Sequence, residues 1–586
     1  MRTDAMSFIS MVIVVALSTQ AASAQKIYPL NKAEILSGSR FDLKVEFPSS
    51  PPAANVSVTI NGKPAAEFLG LPANIVEGGD GKLLTDYWIR GASLKDAGTY
   101  IVEAQAAGAK STVTWSVFAT PEGRKAKNVI LFIGDGMSMA HRTAARMLSK
   151  GIVEGHYGGE LAIDDMPYMA LVSTAGTDSI ITDSANSMSA YTTGHKSCVG
   201  AVGIYCASGD SKSGQPLVEN ITEILKRKTK LAIGVVTNTE IEDATPAAMV
   251  AHTRQRGDYD DIVRMLYEHK PEVILGGGTA NFLAKSDVNS RRHDDEDYIA
   301  KFKVDGYAFA TTNSELVTEA AKGETKSLLG LFNNGNIDGA LDRKFLKKGT
   351  VSKYPDQPDL TDEVKAALSV LSRHDDGFML MVESGRIDKY SHSLDWERAV
   401  YDTVMLDDAV QLAKDFAADR NDTLIIVVAD HAHPVSLIGT YDDDQPGQLL
   451  RDKLMIYEKA GFPNYPPASA EGYPMSIDVS RRLAMVFAAY PDHCDTGRPH
   501  LSGENQPTVL GPDGKTYVAN EDNCQPTATR KAGILPFTQE KGVHSGDDVI
   551  LTALGPGAEQ FHGHMENTRV FRAIVTALGL GAGSGQ

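Results

Sequence analysis

Cysteine is scarce in this chain, with four residues in 586. A chain of that length can bury a large core without staples, so four cysteines do not amount to a disulfide scaffold. None stands in a CxxC spacing, which argues against a zinc ribbon or a dithiol redox motif. Basic residues are in deficit too, 57 Lys+Arg against 75 Asp+Glu, for a formal charge of −18. That excludes a nucleic-acid coat or a binder of anionic membranes, both of which need a basic surface. It also sits awkwardly with an anionic substrate. Beyond the N-terminus no stretch approaches about 18 uninterrupted apolar residues, so no membrane span is expected and the mature protein should be soluble. There is no internal repeat and no G-x-S-x-G elbow. What remains, at 42% hydrophobic and 23% charged, is a globular protein. Its length alone suggests about four domains.

The apolar run Phe8 to Leu17 is preceded by Arg2 and followed by Ala22-Ser23-Ala24, the layout of a signal peptide over residues 1–24 cleaved before Gln25. Export would permit disulfides. Pairing Cys198 with Cys206 and Cys494 with Cys524 is the most local of the connectivities that four cysteines allow. Residues 25–120 read as all-β. Phe41 to Phe47 alternates strictly, as in a half-buried strand, and Val56 to Ile60 alternates before an Asn61-Gly62 hairpin turn. Thr99 to Gln105 and Ser111 to Val117 are further strands. Asp96-Ala97-Gly98-Thr99-Tyr100 resembles the tyrosine corner of immunoglobulin-like sandwiches, although Val102 stands where their cysteine would be. The competing reading is another small β-sandwich.

From Lys125 the pattern becomes buried strands alternating with helical segments. Asn128 to Ile133, Leu231 to Thr237, Met379 to Val382 and Thr423 to Ala429 are apolar runs bounded by turns. This predicts an α/β domain over 125–580 with a largely parallel central sheet flanked by helices, beside the small N-terminal all-β sandwich. Two regions read as insertions. Residues 283–365 are polar, and residues 440–540 are rich in Pro, Gly and Asp.

In open α/β sheets ligands bind beyond the carboxyl ends of the strands. There the sequence places Gly134-Asp135-Gly136, then Glu383 with Asp388 and His392, and Asp430-His431. One such turn is weak testimony, since Asp and Gly are common in turns. Three strands ending in metal-capable side chains are much stronger. Asp388 and His392 have i,i+4 spacing and share a helix face, and mixed carboxylate and imidazole ligands suit zinc. Ser184 opens a segment of small residues that can start a helix, a favourable place for an anion, and it could equally be a plain cap. Thr245 reads as an N-cap with Pro246 at the first helical position, leaving Asp243 on the preceding loop.

These motifs, with Asp243-Ala244-Thr245-Pro246-Ala247-Ala248 and His544-Ser545-Gly546-Asp547-Asp548, resemble in order those of the alkaline phosphatase family over residues 125–580. The resemblance implies hydrolysis of phosphate monoesters through a phosphoserine on Ser184. It implies a first zinc on Asp388, His392 and His544, and a second zinc on Asp135, Asp430 and His431. It implies one magnesium on Asp135, Asp243, Thr245 and Glu383. Arg256 would clamp the phosphate, with Arg254 as its rival. Lys389, paired with Asp243, resembles the enteric bacterial branch, in which this lysine supports the phosphate through water. His433, His562 and His564 lie near motifs and read as local residues or as supports of a ligand, as do His195 and His252. A homodimer is also typical of the family, and the signal-peptide layout points to a periplasmic or secreted location. The alternatives are a phosphodiesterase or sulfatase on a related scaffold, although the sulfatase Cys/Ser-x-Pro-x-Arg motif is absent around Ser184, and a non-enzymatic surface protein.

Overall fold

The computed structural model describes residues 24–78, 83–209 and 214–581. The signal-peptide reading therefore lies outside the described residues apart from Ala24. Among the described residues no helix is long and apolar enough to cross a membrane.

The catalytic unit is built on a ten-stranded sheet. Its centre runs Ala232–Glu240, Phe378–Ser384, Asn128–Gly134, Thr423–Val428, Val549–Leu554. Every residue of Phe378–Ser384, Asn128–Gly134 and Thr423–Val428 is buried, which explains why these strands read as continuous apolar runs. Helices flank the sheet, among them Leu360–Leu371 and the long Trp396–Ala417. Only Val549–Leu554 runs antiparallel to its neighbours. Register aligns the strand ends: Ile133 is level with Glu383 and with Val428, and Thr237 is level with Glu383. The polar residues that follow these strands are thereby delivered to one edge.

One expectation about the insertions needs correction. Residues 283–365 are not wholly a surface insertion, because Ala308–Ala310 and Leu328–Leu331 extend the central sheet at one end. Their shortness and polar flanks hid them. Residues 440–540 do lie apart from that sheet, contributing to a three-stranded sheet with Val435–Asp442 and to two small two-stranded antiparallel sheets. Both cysteine pairs are local, Cys198–Cys206 and Cys494–Cys524.

The N-terminal region forms one four-stranded and one five-stranded sheet around a separate core that includes Val45, Phe47, Ile60, Val102 and Trp115. Tyr100 Oη donates to Asp96 O at 2.8 Å. Strand Arg40–Pro48 differs from the half-buried strand its alternation predicts. Asp42, Lys44 and Glu46 are as buried as the apolar residues between them, because the catalytic unit covers the polar face.

Behind the aligned strand ends, Arg398 is 1% exposed and donates to Asp342, Asp395 and the carbonyl of His500. Its partners join the Leu341–Leu346 turn to the start of the long helix. Arg398→Met would strand two buried carboxylates. A loss of about 3–5 kcal/mol is expected, read as a lower urea midpoint for the catalytic unit.

Candidate active site

The strand ends converge on a buried group of carboxylates and imidazoles. Asp135 follows Asn128–Gly134, and Gly136 N donates to Asp430 Oδ1 at 3.1 Å, closing the turn against the neighbouring strand end. His431 Nε2 lies 3.2 Å from Asp135 Oδ1 and 3.4 Å from Asp430 Oδ2. Helix Arg386–His392 presents Asp388 and His392 on one face, with His392 Nε2 3.3 Å from Asp388 Oδ1. His544 arrives from the segment that leads into the antiparallel strand Val549–Leu554. An Ala432–Ser545 bridge holds it so that its ring stacks on His431 at 3.5 Å. His544 Nε2 is 3.3 Å from Asp388 Oδ1 and 3.0 Å from His392 Nε2.

Backbone carbonyls fix two of these rings. His392 Nδ1 donates to Gly542 O at 2.6 Å and His544 Nδ1 to Thr182 O at 2.9 Å. Each Nε2 is then left as a lone-pair donor facing the cluster, the arrangement expected of a metal-ligating histidine. His433, read from the sequence as a local residue or one that supports a ligand, sits beside this cluster with Nε2 2.6 Å from Asp388 Oδ1.

Ser184 is the first residue of helix Ser184–Thr193, and the cap is Asp183, which accepts from Asn186 N. The plain-cap reading of Ser184 is thus replaced. Its Oγ lies 3.2 Å from His431 Nε2 and 3.5 Å from Asp135 Oδ1. Thr245 likewise is not the cap of its short helix. Asp243 caps it, two residues earlier than Thr245-Pro246 suggested, because Asp243 accepts from Ala244 N. Thr245 Oγ1 is left buried without a partner. Glu383 accepts from Thr237 Oγ1, and from Thr239 Oγ1 at 3.1 Å. Arg256 Nη2 is 2.8 Å from Asp243 Oδ1, and Lys389 Nζ is 2.7 Å from Asp243 Oδ2. Arg254 turns instead to Val199 O. His564 pairs with Asp548 at the surface, His252 with Glu223, and His195 packs edge-on against Tyr205, all outside this cluster.

The charge balance of the cluster is distinctive. Burial and neighbouring carboxylates push Asp135 well above the usual carboxylate range. Burial raises Glu383 to about 7 and Asp430 to about 6. Asp388 is held well below its usual value despite burial, because His392, His433 and His544 surround it. Asp243 is also lowered against burial, by Lys389 and Arg256. Asp430 Oδ2 and Thr245 Oγ1 are buried without hydrogen-bond partners. Asp135, Asp430 and His431 bring ligand atoms within 4.8 Å of one another, as do Asp388, His431, His433 and His544. Divalent cations fit this donor set: they satisfy the orphaned oxygens and supply the positive charge the carboxylates lack.

A hydrophobic α/β scaffold that concentrates such ligands at one sheet edge places the chain among metal-dependent hydrolases. The family model for alkaline phosphatase matches residues 126–580. Curated relatives include the alkaline phosphatase of Gadus morhua, 29% identical over 78% of this chain and 92% of its own length. The tissue-nonspecific isozyme of Gallus gallus is 31% identical over 78% and 85%. Among solved structures, alkaline phosphatase from Thermus thermophilus aligns with a TM-score of 0.56 at 25% identity, covering 79% of this chain and 93% of its own. The chain belongs to the alkaline phosphatase family and is a phosphoric monoester hydrolase. The match leaves the N-terminal β-region outside.

Gly136 has φ +65°, and a Cβ there would lie 2.6 Å from His433 Cδ2 and 3.1 Å from Asp388 Oδ1. Gly136→Ala should therefore weaken metal retention by about ten- to a hundredfold, checked by chelator competition followed by elemental analysis.

Proposed function

We propose that this enzyme hydrolyses phosphate monoesters through a phosphoserine on Ser184, at a site holding two zinc ions and one magnesium. The observation that carries this reading is Ser184 Oγ standing 3.2 Å from His431 and 3.5 Å from Asp135 at a helix start. Asp388, His392 and His544 would hold one zinc, and Asp135, Asp430 and His431 the other. Asp135, Asp243, Thr245 and Glu383 form the oxygen-rich set that suits magnesium. A histidine-to-aspartate variant of the TAB5 bacterial alkaline phosphatase holds magnesium in its M3 site. When bound, the metals supply positive charge that ionises the serine and water and meets the charge of the phosphate.

The remaining chemistry falls to the chain. The N-terminus of helix Ser184–Thr193 directs unpaired N–H groups toward the phosphate. Ser184 Oγ bonds to phosphorus in line as the ester P–O bond breaks, and the alcohol departs with a proton. A water oxygen then bonds to phosphorus, freeing Ser184 and inorganic phosphate. Arg256 offers two parallel N–H groups to two phosphate oxygens, and its ion pairs with Asp243 and Asp183 preset the fork. Lys389 adds a second cation, anchored on the other oxygen of Asp243.

Two disulfides favour an exported, periplasmic or secreted protein. Met169 and Leu171, 54% and 46% exposed on one strand, offer an apolar face that a second copy would cover. The N-terminal region is best read as an immunoglobulin-like sandwich, on its two sheets and the Tyr100–Asp96 corner.

Ser184→Ala should form no labelled phosphoenzyme at acidic pH and lose at least about a thousandfold in kcat. Full labelling of that variant would assign the nucleophile elsewhere. Arg256→Ala should raise the Ki of inorganic phosphate by about ten- to a hundredfold with metal content unchanged. An unchanged Ki would remove Arg256 from phosphate binding. Metal uptake should release protons near neutral pH, because Glu383 and Asp430 must ionise to bind and burial has raised them to about 7 and about 6. Retention should accordingly fall as the pH drops through that range, which titration calorimetry in two buffers would show.

A further inference from the structure

The N-terminal β-region lies outside the match to the family, yet its polar strand face is buried against the catalytic unit beside the segment that carries Arg256. Asp42 N donates to Leu217 O at 2.9 Å, and Leu217 N donates back to Asp42 Oδ2 at 3.1 Å. Glu46 accepts from Ser208 N at 2.8 Å and Ser208 Oγ at 2.9 Å. Lys44, with no exposure, donates to Gly214 O at 3.1 Å and stands 3.1 Å from both Glu46 and Asp86. Tyr28 packs with Tyr205 and Val218. On an isolated sandwich these charged side chains would face water, so this strand is built for docking.

The docked backbone is also the bed of the arginine segment. Tyr205 N donates to Pro216 O at 2.9 Å, and the Cys198–Cys206 disulfide ties this stretch to Gly200. Val202 and Thr253 exchange backbone hydrogen bonds of 2.8 and 2.9 Å, and Arg256 N donates to Gly200 O at 2.8 Å. Gly200 N donates to Asp183 Oδ2 at 3.0 Å, the same oxygen that faces Arg256 Nη1 at 3.4 Å. Contact between the layers is close enough that a Cβ on Gly203 would fall 2.5 Å from Ala251 O. No side chain of the β-region need touch substrate for its docking to set where Arg256 begins.

We propose that the N-terminal β-domain is a positioning element for the phosphate-binding arginine, acting through residues 198–208 and 214–219. The inference rests on the reading of Arg256 as the phosphate clamp. Its test is the full-length double variant Asp42→Asn/Glu46→Gln, which keeps side-chain size but replaces an acceptor at two docking points. The Ki of inorganic phosphate should rise at least about fivefold, the low end of ordinary site-to-site coupling, with metal content unchanged. The amides of Val202, Thr253 and Arg256 should exchange faster with deuterium. A merely structural defect would lower the active, metallated fraction without moving Ki. An unchanged Ki, or faster exchange that stops short of Val202 and Thr253, overturns the proposal. Arg256→Ala serves as the control: if it too leaves Ki unchanged, the fault lies with the arginine reading. Should the double variant fail to fold, Glu46→Gln alone must raise Ki at least about twofold, since roughly half the docking acceptors are altered.

Discussion

Repulsion among buried carboxylates is the constraint on which the site turns. Asp135, Glu383 and Asp430 are brought together at the ends of neighbouring strands, all at most 2% exposed, and burial lifts the pKa of each. Nothing in an apolar α/β core would tolerate that concentration of negative charge for its own sake. The sheet supplies the mechanical opposition. Strands buried along their whole length fix the register, and register leaves the acidic turns no freedom to separate. The energetic demand so created is what positive charge satisfies, whether from Lys389 and Arg256 at Asp243 or from divalent cations at the imidazole-rich pole.

The overall charge of −18 describes the surface of this protein and says little about its substrate preference. The local field belongs to the cluster. Within it the two poles differ in kind. Around Asp388 three imidazoles offset one carboxylate, whereas around Asp135 carboxylates outnumber their partners. Softer nitrogen-rich and harder oxygen-rich donor sets therefore stand side by side, sharing the residues between them.

Much of this was legible in the sequence because strand ends are legible. Continuous apolar runs ending at Gly134, Glu383 and Asp430 reveal both the parallel sheet and the edge at which its polar residues collect. What was not legible has specific causes. Ala308–Ala310 and Leu328–Leu331 are too short for periodicity to distinguish from loop. Capping by Asp183 and Asp243 displaced the expected roles of Ser184 and Thr245 by one or two residues, since Asp, Ser and Thr compete for that position on nearly equal terms. The polar side of Arg40–Pro48 looked solvated because alternation reports chemistry, not what lies opposite. His544 escaped the strand-end rule altogether, because the strand it precedes, Val549–Leu554, runs the other way and the segment leading into that strand reaches the site.

That reversed strand has a consequence for how the molecule comes into being. Ligand candidates enter the chain at Asp135 and are not complete until His544, 409 residues later. A growing polypeptide thus carries its acidic turns for most of its synthesis without the imidazole that stacks on His431. The candidate coordination environment closes only when segments far apart in sequence meet, at the Ala432–Ser545 bridge and the His431–His544 stack, so it forms with the fold and not ahead of it.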